Sequence, residues 1–273
     1  MHSPSRSRVV LAAALCAVVA AATAGAAGPR RAPRPVSATF DDPQACLEAA
    51  PAAASLPGVT DDGGTVSLDV LAVVDGLSRR QAAAVLATAA RAFEPFRVRL
   101  TPRYRTVSFA ADGQHVPPGM KAEVPTADER RLFTELIEHV GGARPEGIDV
   151  VVLLTNKDIW YPENNGERQY SSGGVAFCIG GVRFADKAFA IAEAWRTFPE
   201  DPVYAGKVAA HEIGHLMGAH HHYSNCVEGD GKEQRGVPGV CTVMEGSLTR
   251  FFSLRFGTVE SAVIRGHAVR FAR

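Results

Sequence analysis

Three histidines and one glutamate lie close together near residue 215, with the spacing of a metal site that performs hydrolysis. Residues 211–222 read His-Glu-Ile-Gly-His-Leu-Met-Gly-Ala-His-His-His. Residues four apart lie on one face of an α-helix, so His211 and His215 can present their imidazole rings to one ion. Glu212 is one position further round the helix, where its carboxylate can hold a water molecule activated by the ion. The pattern predicts a Zn²⁺ site with two histidine ligands and Glu212 as general base.

A third ligand is expected beyond the helix. Gly218 stands three residues after His215, and glycine accepts the left-handed conformation that ends a helix and turns the chain. That turn would bring His221 back to the same ion. His220 and His222 are neighbours that could compete, but the spacing from Gly218 favours His221. Three protein ligands leave the fourth tetrahedral position for water, which distinguishes a catalytic zinc site from a closed structural one.

The full spacing HExxHxxGxxH resembles the signature of the metzincin metallopeptidases, and its closest similarity is to their reprolysin-like (ADAM-type) group. Met244 resembles the methionine of the Met-turn, which in that clan forms a hydrophobic floor beneath the metal. Reprolysins carry aspartate after the third histidine where this chain has His222, so the subfamily stays open. The resemblance implies an α/β (α+β) domain: a mixed twisted sheet with helices, an active-site helix, a third ligand in the exit loop and a Met-turn.

The resemblance also implies where a substrate would bind. Gly174, Val175 and Ala176 resemble the edge strand that lies above the zinc in metzincins. Such a strand can bind an extended peptide by adding it to the sheet. Trp160 and Tyr161 precede this segment, and they belong either to the walls of the cleft or to a surface loop.

Cysteine usage suggests disulfides. Cys16 falls in the N-terminal apolar run, and four cysteines remain, which allow three pairings. Cys226 and Cys241 flank the segment between the third ligand and Met244, where a disulfide would close a loop of about 15 residues and contribute around 3 kcal/mol. Cys46 has two interpretations: it pairs with Cys178, which we favour, or its thiolate occupies the open zinc position as a latency switch.

The N-terminus has the pattern of an export signal. Arg6 and Arg8 precede an apolar run that ends in small residues, so we expect a signal peptide over residues 1–27, with no stable membrane span after cleavage. Residues 28–63 are rich in Pro, Ala and Gly and are interpreted as a linker or short pro-region. The metallopeptidase domain would then occupy residues 64–273, and we expect it to be a secreted monomer.

The charge distribution argues against a nucleic-acid partner. Residues 1–35 contain five arginines and no acid, so the remaining 24 basic and 29 acidic residues carry a net charge of −5. No long basic stretch lies in the predicted domain. A net charge this modest says little about substrate preference. Protein or peptide substrates are what the metallopeptidase resemblance implies.

Hydrophobic patterns predict the elements around the motif. The predicted strands cover residues 65–74, 96–109 (with a break at Pro102), 148–154 and 173–181, and residues 156–172 are expected to form a polar loop. The predicted helices begin at caps Ser78 and Thr126 and at Pro202, the last of them running through the histidine motif. This order suggests a mixed sheet covered by helices.

The chemistry predicted from these residues is peptide-bond hydrolysis by a secreted zinc endopeptidase. Two alternatives use the same residues. One is a non-catalytic binding or adhesion protein that keeps a metzincin scaffold. The other is a zinc hydrolase of a different amide bond, such as one in a cell-wall peptide.

Overall fold

The computed structural model describes residues 46, 62–118, 120–163, 165–170, 173–196, 203–221, 242–245 and 253–272. The predicted signal peptide, most of the predicted linker, His222, Cys226 and Cys241 lie outside these residues. Within them are four helices: α1 (Arg79–Phe93), α2 (Glu129–His139), α3 (Tyr204–Leu216) and α4 (Thr258–Phe271). The described strands are β1 (Val66–Asp75), β2 (Val98–Val107), β3 (Gly113–His115), β4 (Val124–Asp128), β5 (Val150–Thr155), β6 (Asp158–Pro162), β7 (Arg168–Tyr170), β8 (Gly174–Ala176) and β9 (Phe189–Glu193).

The main sheet has five strands in the order β2-β1-β5-β9-β8, and it is parallel except for β8, which runs antiparallel to β9. The central strand β5 is wholly buried, as its continuous apolar sequence predicts. The mixed sheet covered by helices confirms the predicted fold class. Strand β9 was not predicted.

Helices cover both faces of this sheet. Alternate strand residues, such as Val70 and Ala72, join one hydrophobic core with α1, α3 and α4. The intervening residues, such as Leu71 and Val73, face α2 in a second core. The α3 helix is buried along its whole length, so its polar residues are held in a fixed environment.

A second sheet corrects the predicted polar loop. Strands β3, β4, β6 and β7 form a four-stranded sheet in that order, and β6 and β7 fall within residues 156–172. These strands are three to five residues long, and β3 and β7 consist mainly of polar residues. Such short strands lack the extended alternation from which a strand is recognised, which is why the sequence favoured a loop.

Two local predictions were wrong. Strand β2 continues through Pro102, because β2 is an edge strand paired only with β1 among the described residues, and an edge strand tolerates a residue without an N–H. The cap of α2 is Asp128, whose side chain accepts a hydrogen bond from Arg131 N. Thr126 instead lies inside β4. The predicted cap Ser78 of α1 is confirmed, with a reciprocal capping box to Gln81.

No helix of the described segments has the length and apolar character needed to cross a membrane.

Candidate metal centre

Three imidazole rings converge at the end of α3. The Nε2 atom of His211 lies 2.9 Å from Nε2 of His215 and 3.0 Å from Nε2 of His221, and the latter two atoms are 3.0 Å apart. His211 and His215 are buried, and His221 is half-buried. Among the described residues this is the one group of three or more possible metal ligands whose ligand atoms lie close together.

Backbone carbonyls determine the protonation of two of these rings. His211 Nδ1 lies 2.6 Å from Val243 O, and His215 Nδ1 lies 2.8 Å from Ala219 O. A carbonyl oxygen only accepts, so each Nδ1 carries the hydrogen and donates it. In its neutral form, each ring then directs an Nε2 lone pair at the same point. This is the arrangement in which a metal-binding histidine is oriented by a partner at its other nitrogen.

The spacing of the nitrogens fits a zinc ion. Zn–N bonds of about 2.0–2.1 Å in tetrahedral geometry place ligand nitrogens about 3.3 Å apart. The three Nε2 atoms are slightly closer than this. Lone pairs facing one another at such distances repel, and a shared cation removes that repulsion. The donor set of three neutral imidazoles is one that zinc accepts.

The turn after α3 delivers the third histidine. Gly218 has φ +91°, in the left-handed region, as the sequence predicted. A Cβ atom at this position would lie 2.6 Å from the ring of His267, so the buried imidazole of α4 also requires a glycine here. His220 is half-buried and is not part of the converging group.

Met244 packs directly beneath the histidine helix. Its side chain is wholly buried, and its Sδ lies 2.8 Å from the position that a Cβ on Gly214 would occupy. Gly214 precedes His215, so the thioether forms part of the apolar support of the ligand-bearing turn. The role of Met244 as a hydrophobic floor beneath a metal stays a prediction.

The segment that carries Met244 is tied to α4. Thr242 Oγ1 donates a 2.6 Å hydrogen bond to Glu260 Oε1 and accepts one from Met244 N. The other carboxylate oxygen of Glu260 accepts from Gly257 N. Burial raises the pKa of Glu260 to about 7, although both hydrogen bonds act in the opposite direction. The neighbouring carbonyl of Val243 accepts a hydrogen bond from His211. Residues 242–244 therefore connect α4 to the first histidine.

Glu212 is buried beside the edge strand. A Cβ atom on Gly174 would lie 2.8 Å from Glu212 Oε1 and 2.8 Å from Ile191 O, so only glycine allows β8 to approach the carboxylate this closely. Burial, and secondly the charge of Glu129, raise the pKa of Glu212 well above its ordinary value. A divalent cation at the adjacent histidines would act in the opposite direction by favouring the carboxylate.

The predicted substrate strand lies at the edge of the main sheet. Gly174, Val175 and Ala176 form β8, the terminal strand in the order of the five. Residues 174 and 176 face the side of α3, since Gly174 meets Glu212 and Ala176 belongs to the same core as that helix. Val175 faces α2 on the other side. The structure thus brings the predicted strand and the predicted base together.

Glu129 is a feature that the sequence analysis missed. It is the first residue of α2 and is wholly buried, and neither of its carboxyl oxygens has a hydrogen-bond partner in the described structure. Burial, followed by the charge of Asp128, raises its pKa to about 8. The only signal available from the sequence was its spacing to Leu132 and Phe133, which places it on the apolar face of α2.

Cys46 and Cys178 form a disulfide, with their Cα atoms 5.4 Å apart. Cys46 N also donates a hydrogen bond to Ile179 O. The next residue, Gly180, donates its N–H to His215 O at the end of α3. The favoured interpretation of Cys46 agrees with this pairing, which leaves no thiolate at Cys46 for a latency switch.

Part of the chain matches a known family model. Residues 118–222 match the model described as metallo-peptidase family M12B, reprolysin-like. The matched segment contains the three histidines and Glu212. The expected resemblance to the reprolysin-like group is thereby confirmed for this segment, and a match to a metallopeptidase family implies a metal, typically zinc.

Two solved structures match this chain at low sequence identity. Metalloproteinase-II from Bacteroides fragilis has 14% identity and a TM-score of 0.45, over 80% of this chain and 59% of that protein. Archaemetzincin from Methanopyrus kandleri has 19% identity and a TM-score of 0.45, over 74% of this chain and 95% of that protein. A search of curated protein sequences finds no match to this chain.

Proposed function

We propose that this chain, whose residues 118–222 are reprolysin-like metallopeptidase sequence, is a secreted zinc endopeptidase. The observation that carries the proposal is the convergence of three histidine Nε2 atoms within 3.0 Å of one another. His211, His215 and His221 would hold Zn²⁺. Glu212 would be the general base, and Met244 the apolar support beneath the ligands.

The proposed chemistry divides between the metal and Glu212. A zinc ion supplies Lewis acidity, which lowers the pKa of a water molecule and polarises the scissile carbonyl. The Glu212 carboxylate takes a proton from the attacking water and later delivers it to the departing amine. Its burial supports this role, because burial raises the pKa of Glu212 and so makes its carboxylate a stronger base once a cation at the histidines favours the charged form.

The peptide would lie along β8. An extended segment can add to the edge of a sheet through main-chain hydrogen bonds. The close approach of Gly174 to Glu212 would then bring a peptide bond to the carboxylate. Binding of this kind uses the main chain of the peptide and requires no free chain end. For this reason we propose an endopeptidase.

Export is supported by the Cys46–Cys178 disulfide, since such bonds persist in oxidising compartments. It agrees with the predicted signal peptide over residues 1–27 and with the predicted pairing of Cys226 with Cys241.

The test is hydrolysis of a proteome-derived peptide library by the purified protein, with and without a chelator, followed by mass spectrometry. We expect internal cleavages that disappear with the chelator and return with zinc. Glu212→Gln should retain one zinc per chain but lose turnover by roughly 10²–10⁴-fold. Glu94→Gln, an exposed change on the turn after α1, is the matched control and should be fully active.

Two results would contradict the proposal. Full activity of Glu212→Gln would exclude this carboxylate as the base. Stoichiometric zinc without cleavage of any peptide would favour a non-catalytic protein on the same scaffold, or a hydrolase of another amide bond.

A further inference from the structure

A pocket of about 310 Å³ lies beside β7, outside the metal centre. We call it the β7 pocket, and its polar lining consists of His115, Asp158, Arg168, Gln169, Tyr170 and Arg196. The sequence motif does not include any of these residues.

The β7 pocket adjoins the beginning of the proposed substrate strand. Arg196 Nε lies 2.5 Å from Glu193 Oε2, and Glu193 N donates a 2.7 Å hydrogen bond to Gly173 O. The next residue, Gly174, is the one that meets Glu212. Gly173, which precedes β8, and Gly174, its first residue, therefore connect the pocket lining on one side to the proposed base on the other. A peptide lying along β8 would reach the pocket within a few residues of the scissile bond.

The acids and bases of the pocket differ in accessibility. The side chains of His115, Arg168 and Arg196 are 24%, 40% and 17% exposed, whereas that of Asp158 is 0% exposed. Glu193, behind Arg196, is also 0% exposed. The guanidinium groups of Arg168 and Arg196 are thus more accessible than the Asp158 carboxylate, which also belongs to the pocket lining. A ligand in the pocket meets the guanidinium N–H groups.

The buried acids hold these donors in place. Asp158 binds His115 Nδ1 at 2.7 Å through one oxygen and Arg196 at 3.0 Å through the other. The His115 ring is stacked on Tyr170 with centroids 3.7 Å apart. Side chains fixed in this way lose little conformational entropy when a ligand binds.

Arg168 supplies the most exposed charge. Its guanidinium lies 4.2 Å from the centre of the Trp160 ring, and its nearest carboxylate is Asp112, at 3.5 Å. Asp112 also accepts hydrogen bonds from Thr126, from the backbone of Asp128 and from Trp160 Nε1. Arg168 Nη1 itself donates a 3.4 Å hydrogen bond to Thr126 Oγ1, which leaves its other N–H groups as possible donors. Arg168 is therefore oriented by an aromatic face and keeps donor capacity toward the pocket.

We propose that the β7 pocket binds a carboxylate of the peptide substrate, and that the enzyme therefore prefers acidic peptides. The inference rests on the proposed function, because it assumes a peptide along β8. The carboxylate comes either from an Asp or Glu side chain or from the C-terminus of the peptide. Planar guanidinium groups bind carboxylates of both kinds in the same way.

The test measures binding by calorimetry with the zinc-loaded Glu212→Gln protein, so that no peptide is consumed. Four peptides cleaved by the wild-type enzyme would be compared as two pairs. One pair carries internal Asp or Asn at the same position and has an amidated C-terminus. The other pair lacks acidic residues and has a free or an amidated C-terminus. We expect binding at least about tenfold tighter for the carboxylate-bearing member of one pair.

Arg168 variants locate the effect. Arg168→Gln should abolish the preference, and Arg168→Lys should restore part of it, because the charge returns without the planar fork. Arg105→Gln, an exposed change on β2, is the matched control and should preserve the preference. The comparison of peptides on the unchanged pocket remains decisive if an Arg168 variant does not fold.

Equal binding of both members in both pairs would overturn the inference, and so would an unchanged preference in folded Arg168→Gln. Cleavage without any preference would refute the carboxylate site alone and leave the proposed endopeptidase intact. If no peptide were cleaved, the same four designs would still be tested for binding. A carboxylate preference lost in Arg168→Gln would then support the site while the proposed function failed.

Discussion

The buried carboxyl of Glu129 should make the stability of the domain depend on pH. Its pKa is raised from 4.5 to about 8, chiefly by burial. The charged form is therefore disfavoured in the folded protein. The stability associated with the protonated group is complete below about pH 4.5 and is lost as the pH rises through 8. A pKa difference of about 3.5 corresponds to at most about 5 kcal/mol, of which about 3 to 4 kcal/mol falls between pH 5 and pH 8.

Glu129→Gln isolates this contribution, because an amide of the same size is neutral at every pH. The free energy of unfolding would be measured by urea denaturation, followed by circular dichroism, at pH 5 and pH 8. A chelator is present throughout, so that metal release does not differ between the two conditions. We expect the variant to gain about 3 to 4 kcal/mol relative to the wild type on going from pH 5 to pH 8.

The control is Glu138→Gln, an exposed change near the other end of α2. It should leave the pH dependence of the wild type unchanged. If the difference between the wild type and Glu129→Gln were the same at both pH values, Glu129 would not be an uncompensated buried acid. The structural reasoning about its environment would then be refuted.

Three further predictions concern the site and its supports. Gly174→Ala should lower kcat/KM by roughly 10²-fold at unchanged zinc content, because its Cβ would displace either β8 or Glu212; wild-type kinetics would contradict this. Thr242→Val removes the hydroxyl that joins the segment of Met244 to α4. The affinity for zinc, measured in competition with a chelator, should fall by roughly 10-fold or more, and an unchanged affinity would exclude a contribution of this hydrogen bond to metal binding. Replacing Cys46 and Cys178 together by alanine opens a loop spanning 132 residues and should lower the free energy of unfolding by about 2 to 5 kcal/mol in urea denaturation; no loss would show that the bond is dispensable.

The sequence predicted the site better than the surroundings of the site. Three possible ligands and Glu212 fall within eleven residues, so helix geometry and one glycine turn suffice to bring them together. Strand β5 was predicted equally well, because a run of apolar residues with strand length has few other interpretations. Strand β9 and the second sheet were missed because their strands have five residues or fewer, and two of them, β3 and β7, consist mainly of polar residues. Their pairing depends on partners remote in the chain, which a local pattern does not contain.

Buried ionisable residues were the other feature that the sequence analysis missed. Composition and periodicity assign glutamate and arginine to the surface, since such residues are almost never fully buried unless they are paired. Glu193 follows the exception, because it faces Arg196 and Ile159 N. Glu129 follows neither the rule nor the exception, because it is buried and its carboxyl oxygens have no hydrogen-bond partner in the described structure. Its burial was therefore the hardest feature to predict from the sequence. The charge of Glu129 also raises the pKa of Glu212, so this buried acid is coupled electrostatically to the proposed base.

The structure also shows that α3 alone does not define the candidate metal centre. Spacing along α3 places His211 and His215 on one face, but a correct face does not determine which ring nitrogen carries the hydrogen. That choice belongs to the carbonyls of Val243 and Ala219, and the first of them lies on the segment held by Glu260 of α4. An HExxH helix without these two acceptors would have the same spacing and no defined lone pair at Nε2. The C-terminal helix is therefore part of the ligand geometry, although no motif in its own sequence indicates it.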